Sequence, residues 1–324
     1  VSSRLYSYTA DTQSATIVLG RGAVFWYQER MALSSDIRVK PFLSHEDIAG
    51  LNFIRSDTGY IFRQHYREGL RSHIMEVLRD EDVQRETRGV VADGVTVFPR
   101  ARPVKMLRLF RRQFVALREV FDEIRRFKLV AACLGRELIA HSNEFIVAYI
   151  FDGRKQVMLC GLQEFVAGEI FDPWLPMTVA GLRRLLQAMN VGCEDGEEIV
   201  ARAVSRARVQ AARLTAGARR LIREAGMVPD LSGVGNLILM RDGSLKLVDI
   251  NNICDVGDEA EIPLDDYGYP SADKAVEVIT LLERHLLGRA PDPADPVLGR
   301  FLSPERMQRV RRLARRCRFT NYPG

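Results

Sequence analysis

The chain has 324 residues, 47% hydrophobic and 27% charged, which is length and apolar content enough to bury a large core as one big domain or two lobes. No run approaches the roughly 18–20 consecutive apolar residues that span a bilayer, and the start Val1-Ser2-Ser3-Arg4 lacks the apolar block of a secretory signal, so a cytoplasmic location is expected. The formal charge of +5 suits anionic ligands but does not argue for nucleic acid, and five scattered cysteines without a C-x-x-C pair give no sign of a zinc cluster or a disulfide framework.

In chain order, residues 15–30 (ATIVLGRGAVFWYQER) place β-branched and aromatic residues on both sides of Gly20-Arg21-Gly22, which predicts two strands joined by a glycine turn. Residues 31–58 show no clear period. GYIFRQHY at 59–66 is strand-like, and VVADGVTVF at 90–98 predicts a hairpin about Asp93-Gly94. From Pro103, Leu107, Phe110, Phe114, Leu117, Phe121 and Ile124 recur at steps of three and four, which predicts one long helix. Strands over 145–151 and 157–165 flank Asp152-Gly153, and beyond Gly168 helices are expected at 178–190, at 197–225 and at 271–287, the last capped by Ser271. A final helix from Ser303 has Pro304 in its first turn and seven arginines between Arg306 and Arg318; a solvated charged face is their ordinary role, and phosphates or an anionic surface their alternative. The class is therefore α+β, with a strand-rich part over 1–163 and a mainly helical part over 164–324.

The segment GMVPDLSGVGNLILMRDGSLKLVDINNI, residues 226–253, carries the chemistry. Two apolar strands flank Arg241-Asp242-Gly243-Ser244, and a two-residue turn on Asp242-Gly243 sets Asn236 opposite Asp249 at the open end. An amide oxygen and a carboxylate so placed can hold Mg²⁺, which takes oxygen ligands and leaves positions for phosphates. Asp230, on the loop leading into the same hairpin, can orient a hydroxyl and accept its proton. The bland alternative is that Asp and Asn merely serve turns.

D-L-S-G-V-G-N followed by L-V-D-I-N resembles the catalytic loop and metal-binding aspartate of the protein-kinase-like superfamily, which includes aminoglycoside, choline and lipopolysaccharide-core sugar kinases. The resemblance implies a bilobal protein-kinase-like fold, ATP and Mg²⁺ as cofactors, Asp230 as catalytic aspartate, and Asn236 and Asp249 as metal ligands. It also implies a hinge at Gln163, Glu164 and Val166 that meets adenine, a phosphate-covering turn at Gly20 and Gly22, and a helix glutamate, Glu119 or Glu123, paired with a phosphate-binding cation. Lys40, Arg63 and Lys105 are the candidates for that cation, and Glu123 and Lys105 are the pair at matching distance. Three departures bear on catalysis: five residues separate Asp230 from Asn236 where the family has four, Pro229 replaces His or Gly, and Asn251 replaces Gly. Gly233 and Gly235 are suited to absorb the extra residue. The implied activity is phosphate transfer to a hydroxyl of a small molecule, sugar or lipid-linked glycan, or nucleotide binding without transfer as in a pseudokinase. No specific nucleic-acid partner or transmembrane segment is expected, and peripheral contact with a membrane is compatible with the sequence.

Overall fold

A computed structural model describes residues 36–55, 59–66, 71–192, 196–250, 252–258 and 261–317. The strands expected over 15–30, with Gly20 and Gly22, and also Asn251, lie outside the described residues. The fold is α+β. In chain order the first part contains α1 (His45–Ala49), β1 (Tyr60–Gln64), β2 (Ser72–Arg79), α2 (Asp80–Arg88), β3 (Val90–Ala92), β4 (Val95–Val97), β5 (Lys105–Phe110), α3 (Leu117–Leu134), β6 (Ser142–Phe151) and β7 (Arg154–Glu164). The second contains β8 (Glu169–Ile170), α4 (Val179–Met189), α5 (Gly196–Ala225), β9 (Met227–Pro229), β10 (Leu237–Leu239), β11 (Leu245–Leu247), β12 (Ile253–Asp255), α6 (Ser271–Leu287) and α7 (Pro304–Arg316). Two compact units result: Val1–Ile124 with His141–Phe165, and Arg125–Ala140 with Val166–Gly324. Among the described residues no helix is long and apolar enough to cross a membrane.

The first unit is built on a five-stranded antiparallel sheet in the order β1-β2-β5-β7-β6. The tight turns that expose Asp-Gly pairs are where the sequence places them: Asp93 and Gly94 between β3 and β4, Asp152 and Gly153 between β6 and β7, all four at positive φ. One face of the sheet packs Phe62, Met75, Leu107, Leu109 and Met158 beneath Ile37, Leu43, Ile48 and Phe53 from residues 36–54. Each such side chain removed from water contributes about 1.5–3 kcal/mol. The short α1 in that cover is held by a reciprocal cap, Ser44 accepting from the Asp47 N–H while Asp47 accepts from the Ser44 N–H. The opposite face packs Phe110 and Leu159 against Phe114, Val120 and Ile124.

The single helix expected from Pro103 is instead a strand, a loop and a helix, since residues 105–110 form β5 and α3 begins at Leu117. Both faces of β5 are covered, so apolar residues occupy both parities of the strand: Leu107 and Leu109 serve one core, Phe110 the other. Their spacing then falls into step with the true helix at Leu117, Phe121 and Ile124 and imitates a helical stripe.

In the second unit α5 carries a buried stripe of Val200, Val204, Ala207, Ala211, Leu214, Ala218 and Leu221, and its small residues admit close packing against α4 and α6. Ser303 caps α7 by accepting from the Arg306 N–H. Ser271 does not cap α6: Pro270 holds that position, and the Ser271 hydroxyl donates to Asp265 at 2.5 Å. The α7 helix is fixed by Arg306, whose Nε and Nη2 donate to the Asp273 carboxylate at 2.6 and 3.1 Å. Both residues are buried.

Candidate functional site

The hairpin of the second unit settles a register that the sequence left to turn length. Leu237 faces Leu247, Ile238 faces Lys246 and Leu239 faces Leu245. The connection is a three-residue loop closed by Met240 N–H to the Ser244 carbonyl at 2.8 Å, not the expected two-residue turn. Gly243 sits in it at φ 82°, and a Cβ added there would lie 1.9 Å from the Ala203 carbonyl oxygen, so glycine is required on both counts. The extra residue slides the pairing by one: the partner of Asn236 is Val248, whose N–H donates to the Asn236 carbonyl at 2.8 Å, and Asp249 follows one position later. The expectation that Asn236 and Asp249 stand directly across from each other is therefore corrected.

The three residues are nevertheless neighbours. Strand β9 pairs with β12, Ile253 facing Pro229, and the ladder is extended by the Asp230 N–H donating to the Asn252 carbonyl at 2.8 Å. Asp230 is 1% exposed. Its Oδ1 accepts from the Ser232 N–H at 2.9 Å and the Ser232 hydroxyl at 2.5 Å, and its Oδ2 accepts from Asn252 Nδ2 at 2.8 Å. Burial pushes its pKa up to about 6, the Ser232 bond opposes that rise, and the negative charge of Asp249 adds to it. Asp249 is thus close enough for its charge to be felt.

Asn236 is oriented from below and behind. Its Nδ2 donates to the Asp230 carbonyl at 2.8 Å, which turns Oδ1 away as the atom left for a cation. A Cβ on Gly233 would come 2.6 Å from Nδ2 and 2.9 Å from Oδ1, so glycine there lets the amide lie flat on the loop. The extra loop residue is taken up by the 233–236 turn, with Asn236 N–H bonded to the Gly233 carbonyl and Gly235 at φ 93°. One amide oxygen and one carboxylate fit Mg²⁺, a hard ion that completes its shell with water and phosphate oxygens. Among the described residues no group of three or more His, Cys, Asp and Glu could hold a metal by itself.

The expected cation pair is not formed. Lys105 opens β5 on the same strand parity as Leu107 and Leu109 and is exposed, whereas Glu123 pairs with Arg112 at 3.8 Å, as Glu119 does at 3.6 Å. Lys40 is bound to Asp47 at 2.7 Å, and Arg63 to Glu76 and Glu86 at 2.9 and 2.7 Å. The buried cation of this sheet is Arg108, on the Met106 and Phe110 side of β5, with Nη1 donating to Gln163 Oε1 at 2.8 Å. Sequence reasoning missed it; a charged residue alternating with Met106 and Phe110 inside an apolar run was the available signal. Of the hinge residues, Gln163 is thus a buried partner of Arg108, while Glu164 closes on His141, accepting from its N–H at 2.9 Å and donating its own N–H to the His141 carbonyl at 2.8 Å. Val166 is the first residue of the second unit after β7. Also missed were Asn252 and Trp174, whose indole N–H donates to the Ser232 carbonyl at 2.8 Å and pins the loop.

No family model matches the chain, and no curated protein matches it. Among solved structures it is similar to one described as "ROP18 kinase domain in complex with AMP-PNP and sucrose", at 11% identity and a TM-score of 0.30, over 73% of this chain and 66% of that one. A likeness of that size leaves the function to be argued from this chain's own residues.

Proposed function

We propose that this chain is a protein-kinase-like protein that binds ATP with Mg²⁺ and transfers phosphate to a hydroxyl of a small molecule, sugar or lipid-linked glycan. The observation that carries the proposal is the backbone geometry of one loop-and-hairpin, in which the Asn236 amide donates to the Asp230 carbonyl and the Val248 N–H to the Asn236 carbonyl, each at 2.8 Å, with Asp249 the next residue. Two neighbouring acids and an oriented amide oxygen are a disposition that a divalent cation relieves. The antiparallel sheet with a helix after its third strand in the order β1-β2-β5-β7-β6 adds support, being the strand-rich lobe that the resemblance implies.

In this proposal Asn236 Oδ1 and the Asp249 carboxylate hold the ion, which when bound neutralises phosphate charge. Asp230 takes the acceptor's hydroxyl proton as the acceptor oxygen bonds to the terminal phosphorus and the bridging bond to ADP breaks. A carboxylate titrating near 6 is matched to that task at neutral pH. A second reading, nucleotide binding without transfer, is favoured by one specific feature: Asp230 is buried and both its oxygens already accept from Ser232 and Asn252.

Purified chain incubated with γ-labelled ATP, Mg²⁺ and a panel of hydroxyl acceptors separates the two. Turnover that Asp230→Ala abolishes supports transfer. Nucleotide binding without turnover selects the second reading, and the absence of both overturns the proposal.

A further inference from the structure

The arginines of α7 remain outside the site just described, and among the described residues the four nearest its C-terminal end have neither the carboxylate nor the carbonyl partners that arginines of α5 have. On α5, Arg202 pairs with Glu198, Arg206 with Asp242 and Arg213 with Glu137, while Arg208 and Arg220 donate to backbone carbonyls. On α7, Arg311, Arg312, Arg315 and Arg316 are all exposed, and among the described residues none has a carboxylate within 4.0 Å. The helix has one acid, Glu305, in its first turn. Its other face is fully committed, with Val310 and Ala314 buried and Arg306 locked to Asp273. A rigid mount therefore presents four fixed charges in two rows, Arg311 with Arg315 and Arg312 with Arg316. The members of each row are one turn, about 6 Å of rise, apart.

We propose that this face of α7 binds the phosphate backbone of a polynucleotide without reading its sequence. Charge complementarity identifies the class, and two features choose among polyanions. Every exposed cation of the helix is arginine, whose planar fork donates two parallel bonds to a phosphate. No large hydrophobic side chain is exposed on α7, so it offers nothing to insert between lipid chains as interfacial helices do. Contacts made to backbone phosphates carry no sequence information, so the binding is independent of base sequence.

Fluorescence anisotropy of the full chain with a labelled 20-base-pair duplex of arbitrary sequence tests this. Four phosphate contacts predict that affinity falls about 150-fold between 50 and 200 mM salt. Replacing all four residues together (R311Q, R312Q, R315Q, R316Q) should weaken binding at 50 mM salt by about 100-fold or more. Asp249→Ala should leave it unchanged, so failure here is distinct from failure of the nucleotide site. A salt-insensitive interaction, duplex affinity unaltered by the four substitutions, or arginine-dependent capture by phosphatidylserine vesicles without duplex binding overturns the proposal. The wild-type salt titration stands by itself if the substituted chain fails to fold.

Discussion

Replacing Asp230 by Asn removes one titrating proton from the second unit, and the consequence for stability has a definite sign. The native carboxyl titrates at about 6, above its ordinary 3.8. The folded state therefore binds the proton more tightly than the unfolded chain. The stabilisation is complete below the unfolded value and is lost as pH rises through about 6. A shift near two units corresponds to about 3 kcal/mol over the whole titration, of which about 1 kcal/mol falls between pH 5 and 7. Trp174 reports on this loop directly, through its bond to the Ser232 carbonyl, and the only other tryptophan is Trp26. Denaturant unfolding followed by fluorescence in a Trp26→Phe background should show wild-type stability, relative to Asp230→Asn, declining by about 1 kcal/mol from pH 5 to 7. Parallel pH profiles for the two proteins, or a relative gain with rising pH, would refute the burial and like-charge argument.

Gly233→Ala places a Cβ against the Asn236 amide and should weaken Mg²⁺-dependent nucleotide binding by about tenfold, read by calorimetry, because Oδ1 is displaced while the hairpin remains. Arg306→Met leaves the Asp273 carboxylate buried without its bidentate partner and should cost about 3–5 kcal/mol of stability in denaturant unfolding. Asp273→Asn together with Arg306→Met should recover much of that loss, since no unpaired charge remains.

What could be read from sequence followed local chemistry. The β3–β4 and β6–β7 turns were legible because Asp-Gly pairs serve left-handed positions, and α4, α5 and α6 because each shows one buried stripe. The boundary between β5 and α3 was not, because a strand covered on both faces has no alternation to display. The Asn236 register depended on whether Asp242-Gly243 closes a two- or a three-residue loop, a choice made by packing of Gly243 on Ala203 in α5. Likewise Asp230 gave no sign of its burial, since Asn252 reaches it from 22 residues away. Arg108 is hidden in the sequence by the same cause as β5 itself, since on a helical reading of 103–124 it is one more solvent-facing charge.

Isothermal titration of ATP into the wild-type chain and into Asp249→Ala, each with and without Mg²⁺, tests the metal–triphosphate assignment most directly. The wild-type chain should bind ATP about tenfold or more tightly with the metal present, and the variant should lose that difference while binding metal-free ATP as before. Equal enhancement by Mg²⁺ in both proteins would contradict the assignment.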